Sequence, residues 1–284
     1  MSTRPSALVL IVLVVVASFA MPLSTGWQVG AAPPETTIGA RSGRHQFGVA
    51  GSGSILVWVD RAIRTSPPPP RLQDDPVQGS SDILGLDLAS NQPLVVTAAP
   101  GDQTGASISG SVVVWQDNGH SCPGCEADIR GKDLATGVEF AVATGPADQS
   151  APAIAGRTVV WIEMDSTHQR LLSRDLDGSL IVEITAVVIP GTTISPPAIS
   201  SDLIVWSEDY GGKHRTIFAL ERATGQRIVI DDRGWANANY ALSGRRIVWT
   251  DPQLWLTDTA TGTTTLLVRV TRLSGMAWRV RRSQ

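Results

Sequence analysis

The chain has 284 residues, 42% of them hydrophobic, with 27 Gly, 18 Pro and a formal net charge of -3. So many turn formers, with Val, Ile and Thr dominating the apolar runs, argue against a helical bundle and for strands. The near-neutral charge supplies no basic field for nucleic acid, and the length suffices for one large core.

Residues 1–32 read as a signal peptide or an N-terminal membrane anchor. Arg4 gives a positive start, Ala7 to Leu23 is almost wholly apolar, and small residues suited to cleavage follow at Ser18-Phe19-Ala20 and Val29-Gly30-Ala31. Either outcome places the remainder outside the cytoplasm, secreted or in the cell envelope. Residues 33–45 are small, polar and turn-rich, and are expected to form a linker.

From residue 46 onward one pattern returns. An apolar residue, a small pair and a polar step lead into branched aliphatics and Trp, with an acid two positions later. The copies end at Trp58, Trp115, Trp161, Trp206 and Trp249, and the acids are Asp60, Asp117, Glu163, Glu208 and Asp251. Five repetitions are more than one active site needs, so the acids are expected to serve as turn or cap residues. A second mark recurs out of phase at Asp87-Leu88-Ala89, Asp133-Leu134-Ala135-Thr136-Gly137, Asp175-Leu176-Asp177-Gly178, Ala223-Thr224-Gly225 and Asp258 to Gly262. Apolar runs flank each, which predicts hairpin turns.

One period therefore holds about four short strands, the size of a propeller blade. In Val112-Val113-Val114-Trp115 both alternating faces are apolar, so the strand must be covered on both sides, as in stacked blades. The expected architecture is an all-β propeller over 46–284, with repeats at about 46–100, 101–146, 147–190, 191–234 and 235–270. Residues 271–284, with Trp278, read as a partial sixth start, which Gly26 to Ile38 could complete as a composite blade. The Pro67 to Pro70 run explains the longer first spacing as a stiff loop.

The Gly-x-x-Val-Val-Trp run, the acid after it and the Asp-Leu-Ala-Thr-Gly turn resemble the repeats of TolB-like and related cell-surface propellers. The likeness covers about residues 46–280, and its implication is a binding or scaffold module at the cell surface. The Ser-Pro-Asp-Gly turn of many such blades is absent here.

Loops entering each repeat line the mouth of a propeller channel, by the same resemblance the usual ligand end. This marks Asp102, Gln103, Asp148, Gln149, Trp235, Asn237 and Asn239 as candidate ligand-binding residues, an aromatic face beside amides and carboxylates. Cys122 and Cys125 are expected to form a small loop disulfide in an oxidising compartment, with zinc binding and redox catalysis as the alternatives. His120, His168 and His214 fall in matching loops and read as solvated rather than as metal ligands. No nucleophile elbow, phosphate loop, dinucleotide fingerprint or zinc-protease motif is present, so no catalytic residue, metal or cofactor is assigned. The function expected is recognition of a protein or glycan at the cell envelope, without nucleic acid and with membrane contact only through the N-terminal segment. A glycan-directed hydrolase or lyase using carboxylates at the channel mouth is the alternative.

Overall fold

The computed structural model describes residues 44–62, 81–119, 126–211, 214–233, 239–251, 253–272 and 278–282, which lie within one compact unit spanning 38–284. The N-terminal segment, the linker up to residue 43, His120, Cys122, Cys125, Trp235 and Asn237 fall outside the described residues, while Arg44 and His45, expected to end the linker, open the first strand.

Every described element is a strand, and the strands group into five antiparallel sheets in chain order. The first blade holds β1 (Arg44–Ser52), β2 (Ile55–Ala62), β3 (Ser81–Asp87) and β4 (Gln92–Thr97). The second holds β5 (Gln103–Ser109), β6 (Val112–Asp117), β7 (Asp128–Asp133) and β8 (Val138–Ala143). The third holds β9 (Asp148–Ala155), β10 (Thr158–Met164), β11 (His168–Asp175) and β12 (Ile181–Val188). In the fourth, the first strand is split into β13 (Thr192–Ile194) and β14 (Ala198–Ile199), followed by β15 (Leu203–Tyr210), β16 (Arg215–Glu221) and β17 (Arg227–Asp231). The fifth holds β18 (Tyr240–Ser243), β19 (Arg246–Asp251), β20 (Gln253–Asp258), β21 (Thr263–Arg272) and β22 (Trp278–Arg282). Within the stretch expected to begin a sixth blade, β22 pairs with the outer edge of β21, with Arg272 opposite Trp278. The ten-residue β21 outreaches its partner β20 and so offers an edge for one more strand.

The repeated tryptophan lies on the second strand of each blade, and in blades two to five it inserts into the joint with the preceding blade. Trp115 packs with Val57 and Val59, Trp161 with Val112 and Val114, Trp206 with Val160 and Ile162, and Trp249 with Leu203 and Val205. All four indoles are at most 1% exposed. This accounts for the two-sided apolar character of the Trp strand: one face holds the indole of its own repeat, the other receives the next.

Polar rungs accompany these joints. The Ser52 Oγ accepts from Gly110 N at 2.9 Å, Ser109 Oγ accepts from Gly156 N at 2.9 Å, and Ser200 Oγ donates to the Gly244 carbonyl at 2.8 Å. Near the rim Lys132 Nζ donates to the Val96 carbonyl and Arg174 Nη1 to the Val142 carbonyl, each at 2.8 Å and each onto the outer strand of the preceding blade. The Asp-initiated turns are hairpins between third and fourth strands. Asp87, Asp133, Asp175 and Asp258 each accept from the backbone N–H two residues on, at 2.9–3.0 Å. These bonds hold the carboxyls of Asp87, Asp133 and Asp258 below their usual range, led by side-chain donors Ser54, Ser111 and Arg246 respectively.

The recurring acids differ from expectation. They sit within strands, paired with a base on another strand of the same blade: Asp60 with Arg44, Asp117 with Arg130 at 3.1 Å, Glu163 with Arg170 at 3.6 Å and Glu208 with Arg227 at 2.8 Å. The side chain of Asp251 is outside the described set. The strands run up to or past these positions, so at Asp60, Glu163 and Glu208 the partner is a cross-strand base, whereas Asp117 also accepts from the Gly119 N–H at 3.1 Å, as a turn residue does.

Candidate functional site

The inner strands are not regular. In β1 the pairing shifts between Phe47 and Ala50, in β5 between Thr104 and Ser107, in β9 between Ser150 and Ala153, and in blade four the strand breaks at Ser195 to Pro197. The residue ten before each Trp sits in the irregularity: Gly48, Gly105, Ala151 and Pro196, with Asn239 at the same distance before Trp249. Gly48, Gly105 and Ala151 have φ of 64°, 62° and 52°. For Ala151 this left-handed conformation costs about 1–2 kcal/mol, held in place by the sheet on either side. The bulges turn the inner strands away from ladder geometry at one height around the ring.

At that height lies a cavity of about 460 Å³, lined by Gly105 to Ser107 of β5, Gln116 of β6, Ser150 to Pro152 of β9, and Pro196 and Pro197. A smaller one, about 200 Å³, adjoins it at Pro196 and is bounded by Ser195, Asn239 and Tyr240. None of these residues is charged. Three prolines and three small residues make a rigid, mostly apolar wall. The polar groups are partly used: Ser107 Oγ accepts from Ile154 N at 3.2 Å, and Gln116 Nε2 donates to Asn118 Oδ1 at 2.7 Å.

Tyr240 closes one side. Its hydroxyl meets Ser195 Oγ at 2.7 Å and donates to the Pro196 carbonyl at 2.5 Å, while Ser195 Oγ also accepts from Ser207 N at 3.0 Å. Burial pushes the phenol up to about 12. A neutral, tied phenol beside a hydroxyl saturated with partners works as a brace between blades four and five, not as a base with a nucleophile.

Asp102, Gln103, Asp148 and Gln149, four of the residues expected to face a ligand, do not line these two cavities. Asp102 Oδ1 accepts from Ser81 N at 2.9 Å and Ser81 Oγ at 3.0 Å, and Asp148 Oδ1 accepts from Ala127 N at 3.2 Å. Each carboxylate thus clamps the start of the third strand in the blade before its own. At the next joint the roles reverse, with Gln169 Oε1 accepting from Ile194 N at 2.6 Å. Gln103 and Gln149 are 0% and 1% exposed, with their amides donating to the Pro100 and Ala147 carbonyls. Of this set Asn239 borders a cavity. His168 and His214 bond to Thr167 and Thr216 in separate hairpins, and among the described residues no three His, Cys, Asp or Glu side chains gather as a metal site. The bulge residues were legible only as a register, ten before each Trp, because the side chains there differ while the backbone conformation repeats.

A second network joins blades three and four. Glu208, 4% exposed, accepts from Trp206 Nε1 at 3.0 Å, Thr185 Oγ1 at 3.1 Å, Arg227 Nη2 at 2.8 Å and Tyr210 OH at 2.7 Å. Burial is the largest single influence and would raise the carboxyl. The bonds from Trp206 and Tyr210 and the charge of Arg227 together outweigh it and leave the group lowered. The Arg227 guanidinium lies 3.7 Å from the Phe218 ring centre.

No protein-family model matches the sequence, and no curated protein matches it. Solved structures do match in shape. TolB from Acinetobacter baumannii superposes with a TM-score of 0.52 at 12% identity, covering 78% of this chain and 53% of TolB. The fold is a five-bladed β-propeller. An oligogalacturonate lyase in complex with manganese gives 0.55 at 14% identity, over 80% of this chain and 66% of the lyase. The propeller domain of the Trilobed protease from Pyrococcus furiosus gives 0.55 at 11%, over 81% and 74%. This chain thus spans about half the length of TolB and about two thirds of the lyase. With neighbours that include a lyase and a protease domain, the likeness fixes the fold and leaves activity to the site.

Proposed function

We propose that the protein is an extracytoplasmic binding or scaffold module that takes an uncharged, apolar peptide segment of a partner protein into the cavity at the inner-strand bulges. The observation that carries this reading is the wall itself: about 460 Å³ bounded by Pro152, Pro196, Pro197 and small residues, with no charged side chain. Such a surface favours an apolar side chain flanked by main chain. Glycan recognition would use the loop Trp235 to Asn239, of which Asn239 borders the smaller cavity. The hydrolase or lyase alternative would call on Asp102 and Asp148, whose Oδ1 atoms are engaged in clamps. Export is supported by the apolar run Ala7 to Leu23 after Arg4. In that compartment a Cys122–Cys125 disulfide is proposed, checked by the mass of non-reduced protein. Closure by a sixth, composite sheet also belongs to this proposal. Ser243 and Gly53, which would extend the serine rungs, are both exposed at the two ends of the blade series.

The test is a peptide library and a glycan array probed with wild type and Ala106→Trp, which fills the cavity, alongside a turnover assay. Saturable peptide binding lost in Ala106→Trp supports the reading. Glycan turnover abolished by Asp102→Asn or Asp148→Asn overturns it.

A further inference from the structure

The last two strands carry charge of one sign only. Five of the chain's 23 Lys and Arg fall within residues 259–284, and none of its 26 Asp and Glu does, so the rest of the chain is acidic on balance. The pairing of β21 with β20 ends at Val268, opposite Leu254, and beyond it β21 pairs with β22. Arg269 to Arg272 and Trp278 to Arg281 thus form a two-stranded ribbon that runs past the body of blade five. Residues directly opposite share a face, and successive residues alternate between faces. Arg269 stands opposite Arg281 and Thr271 opposite Arg279, which puts three Arg on one face. Val270 stands opposite Val280 and Arg272 opposite Trp278, so the other face is mostly apolar. Like charges directly opposite one another weaken a strand pair, and the ribbon has no acid of its own to relieve them. The register is favoured when anions from outside lie on the Arg face.

We propose that this ribbon is a docking surface for an anionic phospholipid membrane, a second membrane contact besides the N-terminal segment. Phosphate headgroups match the guanidinium groups of Arg269, Arg279 and Arg281 in charge and geometry. Trp278, Val270 and Val280 give the ribbon an apolar component that the boundary between headgroups and acyl chains takes up. A soluble acidic polymer would satisfy the charges and leave that face unused. The acidic balance of the remaining chain turns the ribbon, rather than another part of the rim, toward such a surface.

Full-length protein co-sedimented with phosphatidylglycerol vesicles should bind more tightly than with phosphatidylcholine vesicles, and the excess should fall as salt rises from about 0.05 to 0.5 M. Arg279→Ser with Arg281→Ser should weaken binding to the anionic vesicles about 25-fold, at about five-fold per Arg. Arg279→Lys with Arg281→Lys should retain most of it, and Trp278→Ser should lose part of what survives high salt. All variants share the N-terminal segment, so their differences report the ribbon. Circular dichroism of each should match wild type. Ala106→Trp should bind vesicles as wild type does, which separates this surface from the peptide cavity. Equal binding to both vesicle types, a Ser pair that binds as wild type, or tighter binding to heparin or duplex RNA than to the anionic vesicles overturns the proposal.

Discussion

Trp161 and Trp206 occupy equivalent joints and are both fully buried, yet their indole nitrogens are treated differently. Trp206 Nε1 donates to the buried Glu208 carboxylate at 3.0 Å, whereas Trp161 Nε1 has no hydrogen-bond partner. Shortening either indole to phenyl loses apolar contact worth about 1–2 kcal/mol, transfer and cavity together. At Trp206 the change also strips a donor from a buried charge, a further ~1.5–3 kcal/mol, while at Trp161 it deletes an unsatisfied donor and returns about 1 kcal/mol or more. Trp206→Phe is therefore expected to cost about 3–4 kcal/mol and Trp161→Phe about 0–1 kcal/mol. Urea unfolding followed by circular dichroism reads the difference as a shift in midpoint at constant slope. Equal losses, or a larger loss at Trp161, would refute the claim that Nε1 pairing separates the two joints.

Glu208 is lowered in the fold, so its stabilisation is present above the unfolded carboxyl value and is lost as pH falls through the lower folded value. Glu208→Gln should flatten the acid limb of a stability-against-pH curve below about pH 4.5. Tyr240 is raised to about 12, so its contribution is complete below about pH 10 and lost as pH rises toward 12. Tyr240→Phe should remove part of that alkaline loss, measured as the change in melting temperature between pH 9 and 11. Arg174→Ala frees the Val142 carbonyl at the second joint and should cost about 1–2 kcal/mol by denaturant titration, with Arg174→Lys recovering part of it. A Cβ at Gly85 would lie 2.6 Å from the Leu56 backbone oxygen, so Gly85→Ala should cost about 1–3 kcal/mol, and a neutral result would show that β2 and β3 can part there.

The blades were legible in the sequence because burial repeats: Trp115, Trp161, Trp206 and Trp249 recur where the joints need a large apolar plug, and the Asp turns repeat because an Asx bond closes each hairpin. The polar chemistry was less legible. Asp102 and Asp148 were marked as mouth residues, but the bonds they accept come from Ser81 and Ala127, in another repeat at a distance no local pattern encodes. The cross-strand partners of the acids after Trp were missed for the same reason, since Arg44, Arg130, Arg170 and Arg227 occupy different strands within their blades. The cavity escaped because its common element is a backbone kink, carried by Gly at two bulges, Ala at a third and Pro at a fourth.

Each tryptophan of blades two to five belongs by covalent order to one blade and by packing to the joint before it. A recombination event that removes one whole period, from one tryptophan to the next, would therefore seat a new indole on a floor of the same make, as Trp161 lies on Val112 and Val114 and Trp249 on Leu203 and Val205. Gene segments cut in that phase can be lost or copied without inventing a contact. Cuts in any other phase orphan half a joint on each side, so the count of blades in such a lineage is free to drift only in whole tryptophan-to-tryptophan steps.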